Sequence, residues 1–65
     1  MFNLNDCVHL KKDFKNLGLS KNDIGAIVDI QDDGNSYCVE FIDKNGETNE
    51  EALNHYFKKE ELSKL

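Results

Sequence analysis

The stretch Ile24-Gly25-Ala26-Ile27-Val28-Asp29-Ile30, Gln31-Asp32-Asp33-Gly34-Asn35, Ser36-Tyr37-Cys38-Val39-Glu40-Phe41-Ile42 decides the fold. Two runs rich in β-branched and aromatic residues flank an Asp-Gly pair, the short-range signature of a β-hairpin. In the second run Tyr37, Val39 and Phe41 alternate against Ser36, Cys38, Glu40 and Ile42, which makes one face apolar. The same period-two reading of the first run puts Ala26, Val28 and Ile30 inward and Asp29 and Gln31 outward. Gly25, near the strand start, marks a bulge or a close approach of backbone.

Upstream of the hairpin, residues 4–10 also alternate. Leu4, Val8 and Leu10 share one face with Asp6, while Asn5, Cys7 and His9 share the other. Residues 13–23 form a long loop in which Phe14, Leu17 and Leu19 anchor to the core, with a short helix over 13–17 as an option. Gly18 and Asn22 suit positive φ there. Downstream, Asn45-Gly46 is a second turn. Residues 49–57 fit a short helix, with Ala52, Leu53, Tyr56 and Phe57 on one side, or a strand, with Leu53, His55 and Phe57 on one face. The strand is favoured because three antiparallel strands need a fourth to bury a face. Residues 58–61 read as one helical turn and residues 62–65 as a closing strand. Four to five short antiparallel strands, a long first loop and a short helical turn near the C-terminus describe a mainly β fold, a small SH3-like barrel in one domain spanning residues 1–65. The expected core is Val8, Leu10, Ile24, Val28, Ile30, Val39, Phe41, Phe57 and Leu62.

Composition narrows the functions. A chain of 65 residues buries only about 60% of the surface its unfolded form exposes. It has little room for a nucleotide fold, a buried cofactor or a deep substrate cleft, so no enzyme activity and no cofactor are expected. Thirteen acids against eight lysines, and no arginine, give a formal charge of −5. Phosphate binding relies on Lys and Arg, so this balance argues against nucleic acid as the main partner. It favours a basic protein, since complementary potentials speed association. There is no secretory leader pattern and no apolar run long enough to span a membrane. A cytoplasmic protein is expected, with Cys7 and Cys38 reduced and packed as small hydrophobes.

Candidate chemistry is sparse. Cys7, His9, Cys38 and His55 are the only soft metal ligands, and they lack the paired spacing of a structural zinc site. Cys7 and His9 share a strand face, but no third residue orients them for nucleophilic catalysis. The adjacent carboxylates Asp32-Asp33, Glu50-Glu51 and Glu60-Glu61 read as solvated surface rather than acid–base pairs. The glycines are isolated and form no phosphate loop. Among the aromatics, Phe41, Phe57 and Tyr37 are expected in the core. Tyr56 and Phe14 are the two with most reason to be exposed, which for Phe14 is the alternative to anchoring the loop in the core, and exposed aromatics beside carboxylates make interface anchors.

The run Ile24-Gly25-Ala26-Ile27-Val28-Asp29-Ile30, then Asp33-Gly34, Tyr37-Cys38-Val39-Glu40-Phe41-Ile42-Asp43 and Gly46-Glu47-Thr48, resembles the small bacterial family catalogued as domain of unknown function 4926. The ending Phe57-Lys58-Lys59-Glu60-Glu61-Leu62-Ser63-Lys64-Leu65 adds to the likeness, which then runs from Asn5 to Leu65. The Gly-x-Ile-Val strand alone also resembles the KOW motif of ribosomal and transcription-factor domains. The family resemblance implies an SH3-like barrel, no enzymatic activity and an immunity or antitoxin-like role. The segment between Gly46 and Phe57 is longer than the family's usual one, which points to the acidic stretch 47–51 as a feature that faces a partner.

Two functions follow as expectations. The first is an acidic protein-binding module, an immunity or inhibitor protein that occludes a basic bacterial toxin such as a nuclease. Asp32, Asp33, Glu47, Glu50 and Glu51 would meet the partner's cations and Tyr56 would anchor the contact. The alternative is a KOW-like accessory domain that binds RNA or the ribosome through Lys11, Lys12, Lys15, Lys21, Lys58 and Lys59. An open sheet edge also leaves room for a homodimer.

Overall fold

The alternation in the hairpin becomes a five-stranded antiparallel sheet in the computed structural model, which describes all residues, Met1–Leu65. The strands are β1 (Cys7–Leu10), β2 (Ile24–Gln31), β3 (Ser36–Phe41), β4 (Phe57–Lys58) and β5 (Leu62–Lys64). Their order across the sheet is β4-β3-β2-β1-β5. The sheet is open. Its outermost strands, β4 and β5, are joined by a single 3₁₀ turn at Lys59–Glu61 and do not pair. One face buries Val8 and Leu10 from β1, Ile27 from β2, Tyr37, Val39 and Phe41 from β3, Phe57 from β4 and Leu62 from β5.

The phase of β2 differs from the sequence expectation. Gly25 and Ile27 point inward, whereas Ala26 is half-buried, Ile24 is 56% exposed and Val28 is 43% exposed. The glycine explains the first half of this. A Cβ on Gly25 would lie 2.7 Å from both the Glu40 carbonyl oxygen and Val39 Cγ1, so an inward glycine is what lets β3 pack this close. A bulge explains the second half. Ile27 pairs with Val39 but Asp29 pairs with Cys38, which leaves Val28 as the extra residue. Val28 and Asp29 therefore both face out, and Ile30 returns to pack against the core as expected. Asp29 stabilises the break: its Oδ1 accepts the Ile30 N–H at 2.9 Å and its Oδ2 accepts Gln31 Nε2 at 2.6 Å.

The long first loop folds back on itself. Phe14 and Leu19 exchange backbone hydrogen bonds around a 3₁₀ turn at Lys15–Leu17, closed by Gly18 at φ 71°. Phe14, Leu17 and Leu19 all enter the core. Phe14 is thus an interior residue and not a surface anchor, because its ring packs edge-on against Phe57 with centroids 5.1 Å apart. Leu4, placed by alternation with Val8 and Leu10, is instead exposed in a turn ahead of β1.

Residues 49–57 divide between the two expectations. Asn49 caps a single helical turn, α1 (Glu50–Leu53), by accepting the Ala52 N–H at 3.1 Å. Ala52 is buried against the sheet. The strand is only β4, where Phe57 and Lys58 pair with Tyr37 and Ser36. The 3₁₀ turn and closing strand that follow agree with the sequence reading.

Candidate functional site

The β2–β3 connection is a 3₁₀ turn at Asp32–Gly34 in which all three residues have positive φ: 54°, 54° and 88°. Asp tolerates this region better than most residues and Gly enters it freely. Both Asp side chains face solvent, and Gly34 is buried under Met1. Tyr37 fixes the turn from below, donating its hydroxyl to the Gly34 carbonyl at 2.8 Å.

Glu47, Glu50 and Glu51 stand at the other end of β3. Phe41 closes the strand, its carbonyl accepts the Asn49 N–H, and Ile42 bridges to Thr48. The six residues of β3 span about 17 Å at ordinary strand rise. The structure therefore places Glu47, Glu50 and Glu51 after one end of β3 and Asp32 and Asp33 before the other. Tyr56, 58% exposed, precedes β4 on the phase opposite to the buried Phe57.

The acidic end holds a groove that the sequence reading missed. It encloses about 390 Å³ between the long first loop and the β3–α1 connection. Leu19, Ile24, Phe41 and Ile42 give it an apolar lining; Asp23, Asp43 and Lys44 also line it. Ile24 and Ile42 stay 56% and 53% exposed. The signal for Ile42 was present, since alternation put this isoleucine on the outward phase of its strand. Asn49 ties the groove's two walls by donating Nδ2 to the Leu17 carbonyl at 2.7 Å. Asp43 Oδ1 accepts the N–H groups of Asn45 and Glu47, each at 2.9 Å.

The cysteines are free and do not fill the core: Cys7 is exposed and Cys38 half-buried on the outer face of the sheet. Hydrogen-bonded alternation puts them there, and the inward places are taken by larger residues. Burial, and after it the Asp29 carboxylate, push the Cys38 thiol up, which lowers its thiolate fraction. His55 packs edge-on against Phe57, with centroids 4.6 Å apart. No three His, Cys, Asp or Glu side chains converge where they could hold a metal ion. No helix is long and apolar enough to cross a membrane.

These features define a class: a small antiparallel β domain with an uncharged interior and an acidic, partly apolar end. The chain belongs to the family described as Domain of unknown function (DUF4926), whose model matches residues 4–52. The ending Phe57–Leu65, which added to the resemblance, lies outside that match. Neither a curated protein nor a solved structure matches the chain.

Proposed function

We propose that the chain is a non-enzymatic acidic protein-binding module, an immunity or inhibitor protein that covers the basic cleft of a bacterial toxin such as a nuclease, in the cytoplasm. The observation that carries this reading is the end of β3, where two exposed isoleucines, Ile24 and Ile42, share a groove with Asp23 and Asp43, and the exposed Glu47, Glu50 and Glu51 follow in the connection into α1 and its first turn. None of the three carboxylates has an ion-pair partner, because the chain's salt bridges are Lys12–Glu61 and Lys64–Asp6. Exposed apolar anchors at the same end of the domain as unpaired charge are what a steered protein interface requires. The strand order, with β4 and β5 joined by one 3₁₀ turn, supports reading the sheet as an SH3-like barrel. Asp32 and Asp33, a strand length away, serve as a secondary contact for a large partner, with Tyr56 between them and the main patch.

Affinity capture from a lysate of the native host, read by mass spectrometry, tests this. The expected result is enrichment of a basic protein that falls as salt is raised. Enrichment of RNA or ribosomes, lost when Lys11, Lys12 and Lys15 are neutralised, replaces the reading with the KOW-like alternative.

A further inference from the structure

The groove beside this patch is built more specifically than a general acidic surface. Its two carboxylates are held in place by the backbone, each with one oxygen left over. Asp43 engages two N–H groups through Oδ1, leaving Oδ2 unpartnered. Asp23 accepts the Ser20 N–H through Oδ2 at 2.9 Å, leaving Oδ1 unpartnered. Ile24 and Ile42 flank the register pair Gly25–Phe41 at the open end of the β2–β3 ladder. They present a contiguous aliphatic surface with Phe41 beneath it. The Asn49–Leu17 bond holds the walls at a fixed spacing. Lys44 is the one cation lining the groove and makes no ion pair, and against it Asp23 and Asp43 keep the lining net negative.

We propose that this groove seats an extended basic segment of a partner protein. One aliphatic side chain of that segment lies on Ile24 and Ile42, and an adjacent lysine or arginine sits between Asp23 and Asp43. The inference rests on the reading of the chain as a module for a basic protein and narrows it to one site. Charge complementarity selects the occupant. An acidic or neutral segment would bring no cation to the two fixed carboxylates, whereas an Arg or Lys donates to both free oxygens. The volume, about 390 Å³, is at the lower end of ligand sites and suits one long side chain with its neighbours.

The test is a titration of isotope-labelled protein with the peptide acetyl-Gly-Ile-Arg-Ile-Gly-amide, followed by amide chemical shifts. A second peptide carries citrulline, the uncharged isostere, in place of arginine. The expected result is a set of shifts confined to residues 18–24 and 41–49. Affinity should drop about tenfold with the citrulline peptide, the scale of one lost charge-assisted hydrogen bond. The double variant Asp23→Asn, Asp43→Asn should lose a similar factor. Asn retains an acceptor oxygen for each turn bond, so its spectrum elsewhere should match wild type. Ile42→Ser should weaken both peptides. Shifts centred on Asp32 and Asp33, equal affinity for the two peptides, or no binding at millimolar peptide would each overturn the proposal. If the peptide fails while a lysate still yields a basic protein, the module reading stands and only this seat falls. If both fail, both fall.

Discussion

Replacing Ile27 and Val28 in turn separates the observed β2 from the one that strict alternation describes. Ile27 has no exposed surface, and its neighbour Val28 is the 43%-exposed bulge residue. Ile27→Ala removes three buried carbons, about 2.4 kcal/mol at ~0.8 kcal/mol per methylene, and the cavity left behind brings the loss to about 2–5 kcal/mol. A 65-residue domain holds only about 3–10 kcal/mol in total. Against that total the loss is a large fraction, and the urea midpoint of the variant should fall well below that of wild type. Val28→Ala should cost under about 1 kcal/mol, and Val28→Asp should stay folded because the new charge meets water. Ile27→Val, at about 1 kcal/mol, supplies an intermediate point if Ile27→Ala is too unstable to measure. Urea unfolding followed by far-UV circular dichroism gives the midpoints and slopes. If Val28→Asp unfolds while Ile27→Ala melts near wild type, the bulge and the inward glycine are misassigned.

Gly34→Val should cost about 1 kcal/mol or more, since Gly34 sits at φ 88° under the Met1 side chain and a β-branched residue is strained there; a urea midpoint equal to wild type would contradict the turn geometry. Asn49→Ala should lose about 1–2 kcal/mol, because one side chain both caps α1 and donates to the Leu17 carbonyl; hydrogen exchange should rise at residues 15–19 as well as 50–54, and a rise in α1 alone would show that the tie across the groove is absent. Alkylation of Cys38 should keep rising with pH beyond the ordinary thiol range, as its raised pKa holds it protonated, and Asp29→Asn should shift that profile down. A Cys38 labelling profile by mass spectrometry that is unchanged in Asp29→Asn would refute the electrostatic part.

The strands were legible where local chemistry is unambiguous. Tyr37, Val39 and Phe41 alternate without interruption, Asp33-Gly34 marks the turn, and all three face the core. β2 misled because its apolar residues occupy both phases. In Ile24-Gly25-Ala26-Ile27-Val28-Asp29-Ile30 the deciding residue is a glycine that contributes nothing to a hydrophobic count, and the bulge moves the phase by one residue. Residues 49–57 were ambiguous because they hold two short elements, each too brief to complete a period. At the candidate site, the acidic run was visible in composition. Its separation from Asp32-Asp33 depends on which end of β3 each turn caps. The groove was not legible, since Asp23 and Ile24 meet Ile42 and Asp43 only after the sheet has paired β2 with β3.

On the proposed reading, the acidic end of β3 steers a basic partner. The direct measurement is the association rate of the captured partner with wild type and with Glu50→Lys, Glu51→Lys at low and high ionic strength. Both residues lie in the first turn of α1, so the reversal also costs about 0.3–1 kcal/mol per site in helix-dipole energy. The fold should survive that loss, which circular dichroism on the same sample verifies. Wild type should associate faster at low salt, and the reversed variant should associate more slowly with a flattened salt dependence. Equal rates for the two proteins at both ionic strengths would contradict it.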